Sequence, residues 1–592
     1  AIGPYALLGN TTGSYNTALG STPLRCNIDG CHNNAMGYQS LYNSTSGCYN
    51  NAIGREALYR NTTGCHNTAI GYLGLCANTT GTDNNALGRC ALRYNTEGVD
   101  NTAIGNGALY SNTTGCFNNA IGNHALYYNV EGDSNNAFGF CTLAYTTGDN
   151  NTALGYNALR FNTTGTNNFA VGKEALVNNR TGGGNIAIGW QTLYFANSGG
   201  HNNAIGQETL MYTKGGSHNN AMGYQALKCN TYGNFNTAIG YHASHCNTEG
   251  GYNNAIGYEA LRNNTTGVHN QAIGYKALYG SLSGCYNIAA GARALYSNWG
   301  GCHNAAMGYY ALACNTTGIY NTAIGGYALN SNTTGHSNFA VGYRGLYSNT
   351  TGLYNNAIGP NTLESNTTGQ HNQAIGSVSL YCNTTGIHNT GLGNGALCKN
   401  TTGCYNAAIG YMALGNSLSG DNNFAAGRSA LYGNWGGSNN TAIGPEALYA
   451  NTTGCHNTAI GNSAICSNTT GNYNFGVGLN TLRHNTTGSA NNALGYQSMY
   501  CNTTGHYNVA IGESALFYNT DGDCNTALGY RPLYSNTTGC YNVALGSNAL
   551  QSNTTGNYNV ALGNQALCGA LSGTHNFAGG YRALYSNWGG YC

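Results

Sequence analysis

The residues of this chain that could do chemistry are asparagines and cysteines set at a fixed spacing. Eighteen Asn-Thr-Thr-Gly segments begin at Asn10, Asn61, Asn78, Asn112, Asn162, Asn264, Asn315, Asn332, Asn349, Asn366, Asn383, Asn400, Asn451, Asn468, Asn485, Asn502, Asn536 and Asn553. Asn179 and Asn43 add sequons at or next to the same place in the pattern. In a secreted eukaryotic protein each is an acceptor for N-linked glycan, and a turn is where an acceptor should lie. The expectation is that these side chains point outward and that many carry glycans. The same four residues are also good turn chemistry, because Asn and Thr satisfy nearby backbone groups. Six successive sites, Asn315 to Asn400, would stand about 4.8 Å apart on stacked strands, where full glycans crowd one another.

Twenty-three cysteines suggest an oxidising compartment. Spacing offers Cys229 with Cys246 and Cys285 with Cys302 as disulfide candidates, each pair separated by one repeat. Cys26 with Cys31 and Cys398 with Cys404 could each close one turn, and Cys65–Cys76 matches Cys455–Cys466 in spacing. The odd count leaves a thiol over, and Cys592 could join another chain. Cys31-His32 and Cys65-His66 lack the ligand spacing of a zinc site, so no metal or other cofactor is expected beyond covalent glycans. No nucleophile–base set, phosphate loop or carboxylate pair recurs at usable spacing, which argues against an enzyme. Glu56, Asp83 and Glu259 read as solvated surface.

What positions these residues is a 17-residue unit, approximately Tyr-x-Ala-Leu-Tyr-x-Asn-Thr-Thr-Gly-x-Tyr/His-Asn-x-Ala-Ile-Gly, numbered 1 to 17 below. Its closing glycines run from Gly3, Gly20 and Gly37 to Gly580, and one interval alone, Gly139 to Gly155, is a residue short, near Thr146. An unbroken short period is the signature of a solenoid whose coils touch only their neighbours. The expected fold is therefore all-β: a single elongated β-solenoid, a β-roll or β-helix of about 35 coils over residues 1–592, roughly 165 Å long at the strand spacing. The alternative puts a short helical turn at segments such as Arg55–Tyr59 beside one strand.

Position 4 is Leu or an equivalent almost everywhere, with Ser244 the polar exception, and it reads as core together with positions 15 and 16. Glycine at position 10 suggests a turn with positive φ. Asn at position 13, from Asn16 to Asn576, suggests an amide ladder along the axis. Trp299, Trp435 and Trp588 replace the sequon in Asn-Trp-Gly-Gly units and are candidates for lateral contact, with segmental duplication as the plain alternative.

The Asn-Thr-Ala-Ile-Gly-Tyr-x-Ala-Leu-Tyr-Ser-Asn-Thr-Thr-Gly unit resembles repeats of tail-fibre-like and cell-surface proteins of bacteria, phages and some algae. Its Ala-Ile-Gly part resembles the head repeat of trimeric autotransporter adhesins, which implies a left-handed β-roll. Charged residues make up 6% of the chain and the net charge is +1, which disfavours nucleic acid as a partner. No apolar run is long enough to insert in a membrane. Ala1-Ile2-Gly3 is the end of a unit, so a chain processed or excised from something longer is expected. The terminal coils read as ordinary units without polar caps, which implies stacking of copies head to tail. The functional expectation is an extracellular or cell-surface structural protein, a glycosylated fibril or appendage building block whose partners are copies of itself, head to tail and laterally. The alternatives are an adhesin or carbohydrate-binding fibre using Tyr and Trp as sugar platforms, and an ice-binding protein using its Thr arrays.

Overall fold

The computed structural model describes residues 1–569 and 571–586. The chain divides into two units, Ala1–Gly300 and Gly301–Cys592. The first holds three-residue strands β1 (Thr17–Leu19) to β17 (Ile288–Ala290), and the second holds β18 (Ala305–Met307) to β34 (Phe577–Gly579). Within each unit successive strands pair parallel and in register, as in Thr68↔Asn85, Ala69↔Ala86 and Ile70↔Leu87. No helix occurs among the described residues. Each unit is thus a parallel β-solenoid with one coil per repeat.

Between strands the coil is all turn, yet its backbone still bonds from coil to coil. Leu58 N–H donates to Gly74 O at 2.9 Å, Arg60 N–H to Cys76 O at 2.9 Å and His66 N–H to Cys48 O at 3.0 Å. The ladder therefore runs up and down the stack around much of the circumference, not only through the strands. This is how a 17-residue coil with little interior is held: its neighbours satisfy its polar backbone.

The helical alternative fails on backbone geometry. Glu56 and Leu58 have φ of 58° and 52°, and so do their equivalents in coil after coil. A left-handed residue at every second position cannot continue a right-handed helix. The two invariant glycines have different causes. Gly71 closes its coil at φ 134°, which only glycine adopts readily. Gly64 is not at positive φ; a Cβ there would overlap the Gly81 carbonyl oxygen and the Asn61 side chain. Position 10 is glycine for close coil-to-coil approach, not for the turn conformation expected.

The interior consists of positions 3, 4 and 15 with two asparagines. Ala57, Leu58, Ala69, Asn61 and Asn67 are all fully buried. Position 16, expected in the core, faces out: Ile53 is 37% exposed and Leu154 49%. Neighbours along a strand point to opposite faces, so burying Ala at position 15 turns 14 and 16 outward. The missing residue costs nothing in register, since Ala137 still pairs with Ala153. It is removed from the turn, where Thr146 stands in for the usual asparagine and accepts from Asn162 Nδ2 at 3.0 Å.

Candidate functional site

Three kinds of ladder carry the chain's chemistry, and each is built by the in-register stack. The first is made of amides. At position 13, Asn67 Nδ2 donates to Gly81 O at 2.8 Å, and Asn67 Oδ1 accepts from Asn84 N–H at 3.1 Å. This is the axial ladder the repeat implies. Position 7 forms a second one. Asn78 Nδ2 donates both to Asn61 Oδ1 at 2.7 Å and to Gly81 O at 3.0 Å.

That second ladder overturns the expected direction of the sequons. Asn61, Asn78, Asn112, Asn162, Asn179, Asn264, Asn315, Asn332, Asn349, Asn366, Asn383, Asn400, Asn451, Asn468, Asn485, Asn502, Asn536 and Asn553 are fully buried and point inward. The nitrogen that would carry a glycan lies inside the folded coil. Leaving such a buried amide unpaired costs about 1–3 kcal/mol, so the stack holds it in place. Asn95 and Asn129 occupy the same ladder without a sequon, so the ladder is what selects Asn. The threonine that follows has its own reason: Thr62 Oγ1 donates to Thr79 O at 3.0 Å, one coil on. Only two expected acceptors are half-exposed, Asn10 and Asn43. Asn10 Nδ2 still donates to Gly13 O at 2.9 Å. Asn43, at position 6, is outside the ladder.

Thiols form a second kind of ladder. No disulfide joins the described cysteines, which include Cys26, Cys31, Cys65, Cys76, Cys229, Cys246, Cys285, Cys302, Cys398, Cys404, Cys455 and Cys466. None of the disulfides expected among them is present in this structure, and Cys592 lies outside the described residues. For the two pairs one repeat apart, Cys229 with Cys246 and Cys285 with Cys302, in-register side chains run parallel at about the strand spacing of 4.8 Å, longer than the ~3.5–4.5 Å between Cβ atoms that a disulfide needs. Position 11 does something else. Its side chain accepts the backbone N–H of the preceding coil: Ser14 N–H donates to Cys31 Sγ at 3.3 Å, Cys31 N–H to Cys48 Sγ at 3.1 Å, and Cys48 N–H to Cys65 Sγ at 3.2 Å. Asp133 and Asn472 accept in the same way from Cys116 and Cys455, each at 2.7 Å. Sequence reasoning missed this role, although the mixture of Cys, Asp, Asn and Ser at one position was its signal. The Ser14 backbone N–H holds the Cys31 thiol below its ordinary pKa, whereas burial raises those of Cys76, Cys229 and Cys466 on the opposite side of the turn.

Aromatic rings at position 12 make the third kind of ladder. Tyr15, His32, Tyr49 and His66 stack with centroids 4.7–5.0 Å apart and planes within 9°. Inside this run each ring face is covered by the next ring, and the run ends where Asp83 takes the place of a ring. Trp299 and Trp435, at position 8, are 59% and 57% exposed, while Trp588 lies outside the described residues. Asp83 is exposed and Glu56 half-buried, but Glu259 is not the solvated carboxylate expected. It is buried within 3.3 Å of Lys276 Nζ and 3.6 Å of Arg262 Nε. Among the described residues no group of three or more His, Cys, Asp or Glu side chains could hold a metal ion. No family model matches the chain, and no curated protein matches it in sequence.

Proposed function

We propose that this chain is a non-catalytic structural protein, a building block of an extracellular or cell-surface fibre that stacks on copies of itself along the solenoid axis. One observation carries the reading. Every coil offers the next one the same groups that it takes from the last: Asn67 N–H donates to Asn50 Oδ1 while Asn67 Oδ1 accepts from Asn84 N–H. The top of any coil is therefore complementary to the bottom of any other. Such a contact is heterologous and does not close on itself, and contacts of that kind propagate into filaments. The resemblance of the repeat to cell-surface and fibre proteins supports a place outside the cell. The sugar-platform alternative draws less support along runs such as Tyr15 to His66, where the position-12 rings cover one another's faces.

Cryo-electron microscopy of the full chain tests this. The expected result is filaments in which the coil ladder, with an axial rise of about 4.8 Å, continues across the joints between subunits. Single particles that never extend along the axis, or subunits joined only side to side, would overturn it.

A further inference from the structure

Among the described residues, the outward face of each unit's sheet carries no charged side chain on its strands. In the first unit position 16 presents Leu19, Met36, Ile53 and their equivalents as one unbroken apolar row from β1 to β17. Many of these side chains are more than a third exposed, among them Leu87 at 46% and Met222 at 49%. None of the described strands contains a charged residue. Contiguous exposed apolar patches larger than a few hundred Å² mark interaction surfaces. The parallel row at position 14 is mostly Thr and Asn, and neighbours there satisfy each other, as Asn203 Nδ2 does by donating to Asn220 Oδ1 at 2.9 Å. A shallow groove between the rows is lined by Ile186, Ile205, Met222 and Ile239.

We infer that this face docks on the same face of a second copy of the chain, with the two copies running antiparallel. The inference rests on the reading of the chain as a self-assembling structural protein and names the lateral contact. Area supports it: seventeen strands of three residues cover about 80 Å by about 10 Å, or about 800 Å² on each copy, which is one side of a standard stable interface. Spacing selects the occupant. A partner must bring apolar groups at the strand repeat over that whole length, and a second copy brings the same repeat. Symmetry selects the direction. A twofold axis along the strands makes the copies antiparallel and lays the position-16 row on its equivalent, polar row on polar row. A twofold axis along the stack makes them parallel and reverses the order of the rows: midway between the rows it lays the apolar row on Thr and Asn, and placed over the apolar row it leaves the position-14 row without a partner and halves the contact. The face-to-face result is a dry interface of interdigitating side chains, as in paired cross-β sheets.

The test uses the full chain in two forms. In the first, Ile205→Lys, Met222→Lys and Ile239→Lys are combined; these side chains point outward, so the far-UV spectrum should not change. In solution the paired mass should fall twofold, and filaments should narrow from two solenoids to one with the axial rise unchanged. Equal mass and width in both proteins would overturn the inference. In the second form a photo-crosslinker, p-benzoyl-phenylalanine, replaces Met222 in the otherwise unaltered chain. Cross-links to position-16 residues of another copy support antiparallel pairing. Cross-links to position-14 residues, or to turns, overturn it. Loss of axial filaments with the pairing intact would count against the proposed function and not against this contact.

Discussion

Asn78 donates its side-chain nitrogen to Asn61 Oδ1, one coil away, at 2.7 Å. That nitrogen is the atom on which a glycan would be built. Within the folded coil it is fully enclosed and already bonded twice. The relationship repeats along both units and separates two uses of one tripeptide, as an acceptor for sugar and as the inner rail of a stack.

Site mapping should therefore find the eighteen buried asparagines unmodified in the folded protein. Of these twenty sequons, only Asn10 and Asn43 should release glycan on amidase treatment, as read by peptide mass spectrometry with and without the enzyme. Occupancy at Asn349 or Asn366 would mean that the position-7 ladder is open there.

Within the ladder, Asn349→Ala removes donation to Asn332 Oδ1 at 2.9 Å and to Gly352 O at 3.2 Å, and deprives Asn366 of its acceptor at 2.8 Å. A loss of about 1–3 kcal/mol is expected, seen by denaturant titration and as faster hydrogen exchange in the flanking coils. Asn43→Ala, half-exposed and off the ladder, should change stability by less than about 0.5 kcal/mol.

Left-handed positions give a stabilising substitution. Val378 sits at φ 50°, where a β-branched residue is least at home. Asn occupies the equivalent place at Asn361, φ 52°, and at Asn480, φ 58°. Val378→Asn should raise stability by about 1 kcal/mol, the scale of strain for one L-residue in this region. A lower midpoint in denaturant would show that the Val378 side chain packs better than its backbone suffers.

Thiol reactivity should divide by place in the repeat. Cys31, lowered by the Ser14 N–H, should alkylate faster at neutral pH than Cys76 or Cys229, which burial raises. Time-resolved labelling with peptide readout checks this. Reductant should leave the fold of both units unchanged. An equal rate at all three would remove the distinction.

Burial pushes the His245 imidazole down to about 4, helped by His242, Arg262 and Lys228 and opposed by Glu208. Its folded value lies below the unfolded value of about 6.5, so the unfolded chain binds more protons between the two. The contribution of His245 is complete above about pH 6.5 and is lost as pH falls toward about 4. His245→Tyr restores the residue common at position 5, as at Tyr59 and Tyr279. The variant should lose less of its thermal midpoint than the parent between pH 7 and pH 4, and parallel curves would refute the assignment.

The sequence by itself determined the period, the parallel in-register stack and the place of the one-residue deletion. Each of these follows from repetition, because a coil that meets only its neighbours must pair like with like. It also identified Leu58 and its equivalents as core and Asn67 and its equivalents as a ladder. Only the tertiary structure decided which way the other side chains point. Three residues per coil, such as Glu56, Leu58 and His66, have φ near 50–60° and reverse the course of the chain between strands. A strand of three residues is also too short to show its alternation in sequence. Hence Asn61 could be read as outward when it is buried, Ile53 as core when it is exposed, and Cys31 as half of a disulfide when it is a hydrogen-bond acceptor. Periodicity specifies which residues are neighbours along the axis; the turns specify which of them face the interior.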